Sequence, residues 1–484
     1  MTRALVVAAA AALAASCTQV TPEKQIVNDA AAALGGRDRI LAVKTLVVEG
    51  EGINGNLGQD MTMDATSQAF KLTDYKVSID FAGWRSRLEQ TRTPNFPYFQ
   101  GQQPQKQVLG IDGETGYNVA PNGTATRIAN AAAKERRAGL YHHPLAIVRA
   151  ALDPGAKLSN PRDASGQRVV DVTTAGGLAF TLAIDGGTRL PTRVVSMTDN
   201  TNLGDVAIET TFSDYQDVSG LKLPSHLTTK TDKYLTADIR VSKQMVDGET
   251  GDLSAPAAAA SAPPVTAPPP ATVTSDEIAK GIWFLAGQSH HSVLVEFGDH
   301  LMLIEAPQND TRALAVLAKV KELRPGKALT QVVNTHHHFD HSGGLRAAVS
   351  EGPTIVTHAL NVPFYQEAMT RAHTIVPDAL AKNPKPLKIE AVEEEKTFQD
   401  SAMTVTLYHI AGSPHADTLL MAYFPKQRIL VEADVFSPGS AVQPYAANLL
   451  ENIKSRNLVV DRIVPIHGTI TPFTELVKTQ AGAH

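Results

Sequence analysis

Four side chains able to bind a metal fall within six residues of one another: His336, His338, Asp340 and His341, in a run that continues into Ser342, Gly343 and Gly344. The spacing has a direct physical reading. In extended backbone, side chains two apart point the same way, so His336 and His338 can offer their imidazoles to one ion. Asp340 and His341 follow as the chain turns. They point elsewhere and could hold a second ion a few ångströms away. Neutral imidazole with carboxylate suits zinc, and iron or manganese with little change.

The elements around the cluster must deliver that geometry. Residues 328–334 read as a buried strand, and Gly343-Gly344 opens a helical stretch, so the cluster lies where a strand ends and a helix begins. Three later residues share this placement. His415 follows a strand in Gly412-Ser413-Pro414-His415, Asp434 closes the strand that begins at Arg428, and His467 ends the strand 459–465. Between them the pattern predicts paired strands at 281–305, an amphipathic helix at 311–323, helix and loop at 361–388 that could form a lid, and a terminal helix at 473–478. Two rounds of strands with helices imply two packed sheets covered by helices. His358, His373 and Tyr365 are candidates for a pocket mouth or a surface role. His337 and Phe339 are expected to pack or face away.

The ordered set His336/His338/Asp340/His341, His415, Asp434 and His467 over residues 274–484 resembles the metallo-β-lactamase superfamily of metallo-hydrolases. The resemblance implies an αβ/βα sandwich with two metals at one edge. His336, His338 and His415 would hold one metal. Asp340, His341 and His467 would hold the other, with Asp434 bridging. Two features depart from the family pattern. Glu305 stands where an Asp is usual, in a supporting and not a ligating position, and Gly-Ser-Pro-His replaces the commoner Gly-His-Thr before His415. His338 stands where the diiron, oxygen-reducing branch has Glu, which argues against that branch.

The 484-residue chain is long enough for two or three domains. Its net charge of −5 and lack of basic runs exclude a nucleic-acid reader. Its single cysteine, Cys17, excludes an intramolecular disulfide and a thiolate metal site. Residues 1–17 read as a signal peptide whose end, Leu13-Ala14-Ala15-Ser16-Cys17, resembles a bacterial lipobox. Export to the periplasm follows, with a lipid on Cys17 tying the chain to the outer membrane. Residues 18–250 read as a helix followed by a mostly antiparallel β domain, with one helix at 141–152 that His142 and His143 open ahead of Pro144. Its strand pattern resembles the half-barrels of lipoprotein-like carrier domains. That implies either a groove for apolar ligands or a domain that only positions the enzyme. Residues 251–273 hold eight Ala and six Pro and read as a linker between two folded units.

The expected fold is therefore a two-domain α+β / α/β chain, a β half-barrel followed by the sandwich. The expected function is an exported dinuclear zinc hydrolase with two ions per chain. The ions acidify a shared water, which attacks an ester, lactone, thioester or amide-type bond in a small molecule, and Asp340 orients the nucleophile. A periplasmic β-lactamase, a lipid-anchored binding protein and a mononuclear iron redox enzyme of the same fold are the alternatives.

Overall fold

The structure, a computed structural model, describes residues 20–99, 101–267 and 269–481. The signal segment with Cys17 lies outside the described residues. Among the described residues, no helix is long and apolar enough to cross a membrane.

The first part is one antiparallel sheet of thirteen strands. Its first strand, Thr45–Gly55, lies in the middle. It pairs on one side with Ala69–Asp80 and on the other with the last strand, Tyr234–Val246, in the register Leu46 to Val246. From this seam the chain meanders outward to Ala125–Arg127. It then restarts at the opposite edge with Lys157–Ala164 and meanders back. Helices Pro22–Leu34 and Pro144–Ala151 fill one face, because their apolar residues recur at helical spacing. Ile26, Leu34, Leu145 and Ile147 pack in one core with Ile111 from one wing of the sheet and Leu182 from the other. The face expected to offer a groove for apolar ligands is thus occupied by the domain's own helices.

Two local expectations change here. A second helix, Asn130–Leu140, precedes the expected one, and it buries only Ala133 and Leu140. Such a sparse apolar face leaves almost no periodic signal. The Ala/Pro stretch carries a short helix, Ala257–Ser261, with Ala259 fully buried. Arg127 donates to the Ala262 carbonyl and Asn130 N–H to that of Val265, so this stretch is fastened along the β domain.

The second part is two sheets face to face. The first has seven strands in chain order from Thr274–Ala279 to Lys388–Val392, the last four parallel. The second has six strands from Glu395–Gln399 to Thr471–Pro472. Val293, Met302, Val333, Leu407, Val431 and Val464 fill the space between them. Helices Asp310–Leu323 and Leu345–Glu351 cover the outside of the first sheet, and Ala446–Ser455 with Phe473–Ala481 covers the second. This is the αβ/βα sandwich expected.

The two parts share a core. Leu203, Val206 and Tyr234 of the β domain belong to the same apolar cluster as Leu317 and Leu345 of the sandwich. The segment expected as a lid is held at this junction. Arg371 pairs with Asp232 at 2.9 Å, and Asp205 accepts from the N–H groups of Thr374 and Ile375.

Buried histidines of the β domain make its stability depend on pH. Burial pushes the imidazole of His143 down from 6.5 to about 4. Between those values the unfolded chain binds more protons. The contribution of His143 is therefore complete above pH 6.5 and is lost as pH falls toward 4, by up to roughly 3 kcal/mol. His143 caps the helix Pro144–Ala151 by accepting from Leu145 N–H, a role Asn can take. Urea unfolding at pH 7 and pH 5 is expected to show a smaller loss on acidification for His143→Asn than for wild type. Equal losses would remove His143 as the cause.

Candidate metal centre

Strand Ala328–Val333 ends beside strand His300–Ile304. The chain then runs extended through Asn334 to His338 and closes into the short helix Phe339–Ser342. That order places His336 and His338 on the extended run and Asp340 and His341 on the turn. Two glycines allow the turn to seat against the loop after His300–Ile304. A Cβ on Gly343 would fall 2.1 Å from the Gln308 carbonyl oxygen, and one on Gly344 2.4 Å from that of Ala306.

The structure brings all seven expected residues together, in two groups. His336, His338, His415 and Asp434 form one. Asp340, His341 and His467 form the other, with an eighth residue, His290. In each group the ligand atoms lie within 4.8 Å of one another. Asp434 joins the groups: its Oδ2 is 3.1 Å from both His415 Nε2 and His341 Nε2, and its Oδ1 is 2.8 Å from His467 Nε2. It is carried in the left-handed region, at φ 61°, where strand Ile429–Glu432 gives way to a turn. The buried Glu432 carboxylate accepts from the N–H groups of Val435 and Phe436 and holds that turn.

The outward nitrogens of His341 and His467 are each fixed by a partner. Glu305 is fully buried and takes Thr335 N–H on Oε1 at 2.7 Å and His341 Nδ1–H on Oε2 at 3.0 Å. The carboxylate in place of the family's Asp thus supports the site, as expected. His467 Nδ1 donates to the Ser289 carbonyl at 2.9 Å. The departure before His415 also has a structural role, because the Ser413 hydroxyl accepts from His415 N–H and shapes the loop. The His415 ring lies 5.1 Å from that of Tyr445.

With these partners outside, two of the inward nitrogens have none. His336 Nε2 and His338 Nδ1 are buried with no hydrogen-bond partner, which native interiors rarely tolerate. His341 Nε2 and His467 Nε2 face each other at 3.2 Å, with their other ring nitrogens against the Glu305 carboxylate and the Ser289 carbonyl. Two nitrogens bound tetrahedrally at about 2.0–2.1 Å from one ion stand roughly 3.3 Å apart. Imidazole and carboxylate atoms in this arrangement fit a divalent cation in each group.

The electrostatics agree. Burial pushes His336 and His338 well below the usual imidazole range, so both stay neutral, the form that binds metal. Burial opposes charge on His341 too, but Asp434, Asp340 and Glu305 outweigh it and hold that imidazole well above its usual range. Burial likewise favours protonated Asp340. His341 and the hydrogen bond from His290 reverse this and hold the carboxyl well below its usual range. The pocket is therefore built to hold positive charge between fixed anions.

The remaining candidates are elsewhere. His337 is buried and faces away, bonded to the Thr418 hydroxyl and the Asp60 carbonyl. Phe339 stacks on Phe364, centroids 6.3 Å apart. His358, His373 and Tyr365 are neither at a pocket mouth nor on the surface. Tyr365 is buried under the site, where its hydroxyl donates to Asn334 Oδ1. His373 is covered at the domain junction beside Asp378, and His358 lies against His409. His290 was not singled out by sequence. It stands before strand Ser292–Glu296 with no patterned neighbour except His291, and only the fold carries it to Asp340 Oδ2, at 3.0 Å. Arg312, fully buried, holds its loop by donating to the carbonyls of Leu285 and His290.

Imidazoles and carboxylates thus converge at the strand ends of a two-sheet sandwich. Residues 285–477 match the family model of the metallo-beta-lactamase superfamily. Among solved structures, a metallo-beta-lactamase from Pontibacter korlensis is 18% identical, with a TM-score of 0.34, covering 43% of this chain and 98% of its own. The mono-zinc form of a metallo-beta-lactamase from Pseudomonas aeruginosa is 18% identical, with a TM-score of 0.34, covering 44% and 96%. A stereoselective inverting sec-alkylsulfatase from Pseudomonas sp. is 16% identical, with a TM-score of 0.32, covering 43% and 41%. No curated protein matches the chain.

His290 gives this site a testable asymmetry. His290→Ala is expected to weaken divalent-metal binding at the Asp340/His341/His467 group by about 10-fold or more, with the His336/His338/His415 group unchanged, in a chelator competition. Unchanged binding at both groups would remove His290 from the centre.

Proposed function

We propose that the chain is an exported dinuclear zinc hydrolase that cleaves an ester, lactone, thioester or amide-type bond in a small molecule. The observation that carries this reading is the pair of His/Asp groups sharing Asp434, with the inward nitrogens of His336 and His338 unpartnered. His336, His338 and His415 would hold one ion. Asp340, His341 and His467 would hold the other, with His290 beside them and Asp434 between the two. Two divalent cations supply Lewis-acid polarisation of the electrophilic oxygen and a water acidic enough to ionise near neutral pH. The all-nitrogen-and-oxygen donor set supports zinc, with iron and manganese as close fits.

The chain's own residues do the rest. Asp340 is ionised, and His290 fixes one of its oxygens. It is placed to accept a hydrogen bond from the attacking water, orient it and take its proton. The side chains of Asp340 and His467 are 34% and 24% exposed, whereas those of His336 and His341 are fully covered. Substrate therefore approaches from the Asp340 and His467 side. Asp434 in the bridging place leans away from the β-lactamases that carry Cys or Ser near there. A lipid on Cys17 would hold the enzyme at the outer membrane.

Elemental analysis of the purified chain is expected to give about two zinc ions per chain, as two filled sites require. Hydrolysis is then sought across lactams, lactones, thioesters and phosphodiesters. Asp340→Ala is expected to lower turnover by about 10²–10⁴-fold with the circular dichroism unchanged. One iron per chain, or near wild-type turnover in metal-loaded Asp340→Ala, would overturn the reading. Export is tested separately. Labelled palmitate is expected in the wild-type chain and not in Cys17→Ser, and absence of label from both would remove the lipid anchor.

A further inference from the structure

One wall of the metal centre does not come from the sandwich. The loop between strands Thr45–Gly55 and Ala69–Asp80 of the β domain crosses the junction and enters the site. Gln59 Nε2 donates to Asp340 Oδ1 at 2.7 Å. The next carbonyl, that of Asp60, accepts from Nε2–H of His338 and of His337, both at 2.9 Å.

The loop is built to hold this position. The Asp60 carboxylate is 4% exposed and accepts from Met61 N–H, the Ser67 hydroxyl and Gln68 N–H, which staples the loop to itself. Gly58 has φ 73°, and its carbonyl accepts from Phe339 N–H at 3.0 Å. A Cβ there would fall 2.2 Å from the Phe339 ring, so only glycine lets the loop come this close. On the far side, the Met61 carbonyl accepts from Asp417 N–H at 3.0 Å, two residues past His415. The loop is thus tied to two of the segments that carry the metal-binding residues, those of His338 and of His415.

We propose that the β domain completes the metal centre, with Gln59 as a positioning residue that fixes Asp340 and the Asp60 carbonyl fixing His338. The inference rests on the metal-centre reading above. A carboxylate ligand must present one orientation to work with the imidazoles around it. His290 holds Asp340 through Oδ2, and Gln59 holds it through Oδ1. Removing either leaves the carboxylate free to turn about its last bond. Likewise a carbonyl can only accept, so it keeps the His338 proton on Nε2. The lone pair is then on Nδ1, the buried atom without a partner. Function thereby requires both domains in contact.

The test uses the full chain, titrated with Co²⁺ and followed by visible absorption and by chelator competition. Wild type, Gln59→Ala and Gln59→Glu are compared, with Asp232→Ala as a control. That control removes the junction pair with Arg371 and none of the hydrogen bonds that Gln59 and Asp60 make to the site. The wild type is expected to take up two equivalents. Gln59→Ala is expected to bind the second Co²⁺ about 10-fold more weakly, with an altered absorption band and the first equivalent unchanged. Gln59→Glu, which sets an anion against Asp340, is expected to bind it more weakly still, and Asp232→Ala to match wild type. A packing role for Gln59 gives the opposite order, because Glu keeps its size and Ala does not. That order, or equal Co²⁺ binding by all four proteins, would overturn the proposal. A wild type that takes up no second equivalent would overturn the metal-centre reading itself, and the proposal with it.

Discussion

Imidazoles and carboxylates crowded together at the strand ends set the central constraint on this structure. Ring nitrogens of His336, His338, His341 and His467 converge with the oxygens of Asp434. Such an array needs positive charge among its carboxylates. Each outward ring atom is therefore as informative as the inward one. Glu305 on His341, the Ser289 carbonyl on His467 and the Asp60 carbonyl on His338 take the protons. They turn the other ring nitrogen of each inward. These three partners come from three separate loops, so the centre depends on the tertiary fold and not on any one motif.

The sandwich meets that demand by placing strand ends side by side. The parallel pair His300–Ile304 and Ala328–Val333 delivers Glu305 and the first histidines together. The pair Ile429–Glu432 and Arg462–Pro465 does the same for Asp434 and His467. Backbone strain collects at these points. Glu305 and Asp434 both lie at positive φ, 71° and 61°, without being glycine. A left-handed conformation costs such residues about 1–2 kcal/mol each. The packed sheets hold these conformations because Ile304, Val333, Val431 and Val464, at or near the ends of those strands, are buried between the sheets. The strain is the consequence of turning a carboxylate back toward the site immediately after a strand.

Much of this was legible in the chain because dense chemistry leaves a dense signal. Four candidate ligands in six residues, each later one at a strand end, locate a candidate metal centre without any knowledge of the fold. The sandwich elements were equally plain where apolar runs are long, as in Leu301–Ile304 and Leu420–Phe424. Sites made by tertiary contact were not legible. His290 is a single histidine in a loop, and Gln59 a neutral side chain in a turn-rich stretch. Nothing local distinguishes either from a solvated residue. The helix Asn130–Leu140 escaped because only two of its residues are buried. His358, His373 and Tyr365 were misplaced for the same reason: the surface that covers them is supplied by residues far away in sequence.

The Ala/Pro stretch shows how composition can describe a segment and miss its mechanics. Its residues bury little, yet they offer backbone carbonyls, and Arg127, Tyr117 and Arg312 each donate to one of them between Leu253 and Thr272. The last of these is decisive. Arg312 bonds the end of that stretch through Thr272 and the loop of His290 through its carbonyl, with the same guanidinium. A tether that allowed the domains to drift would leave a buried cation short of an acceptor, a cost of the order of 1–3 kcal/mol. The stretch is therefore fastened at both ends, to the β domain through Leu253 and Ala262 and to the sandwich through Thr272.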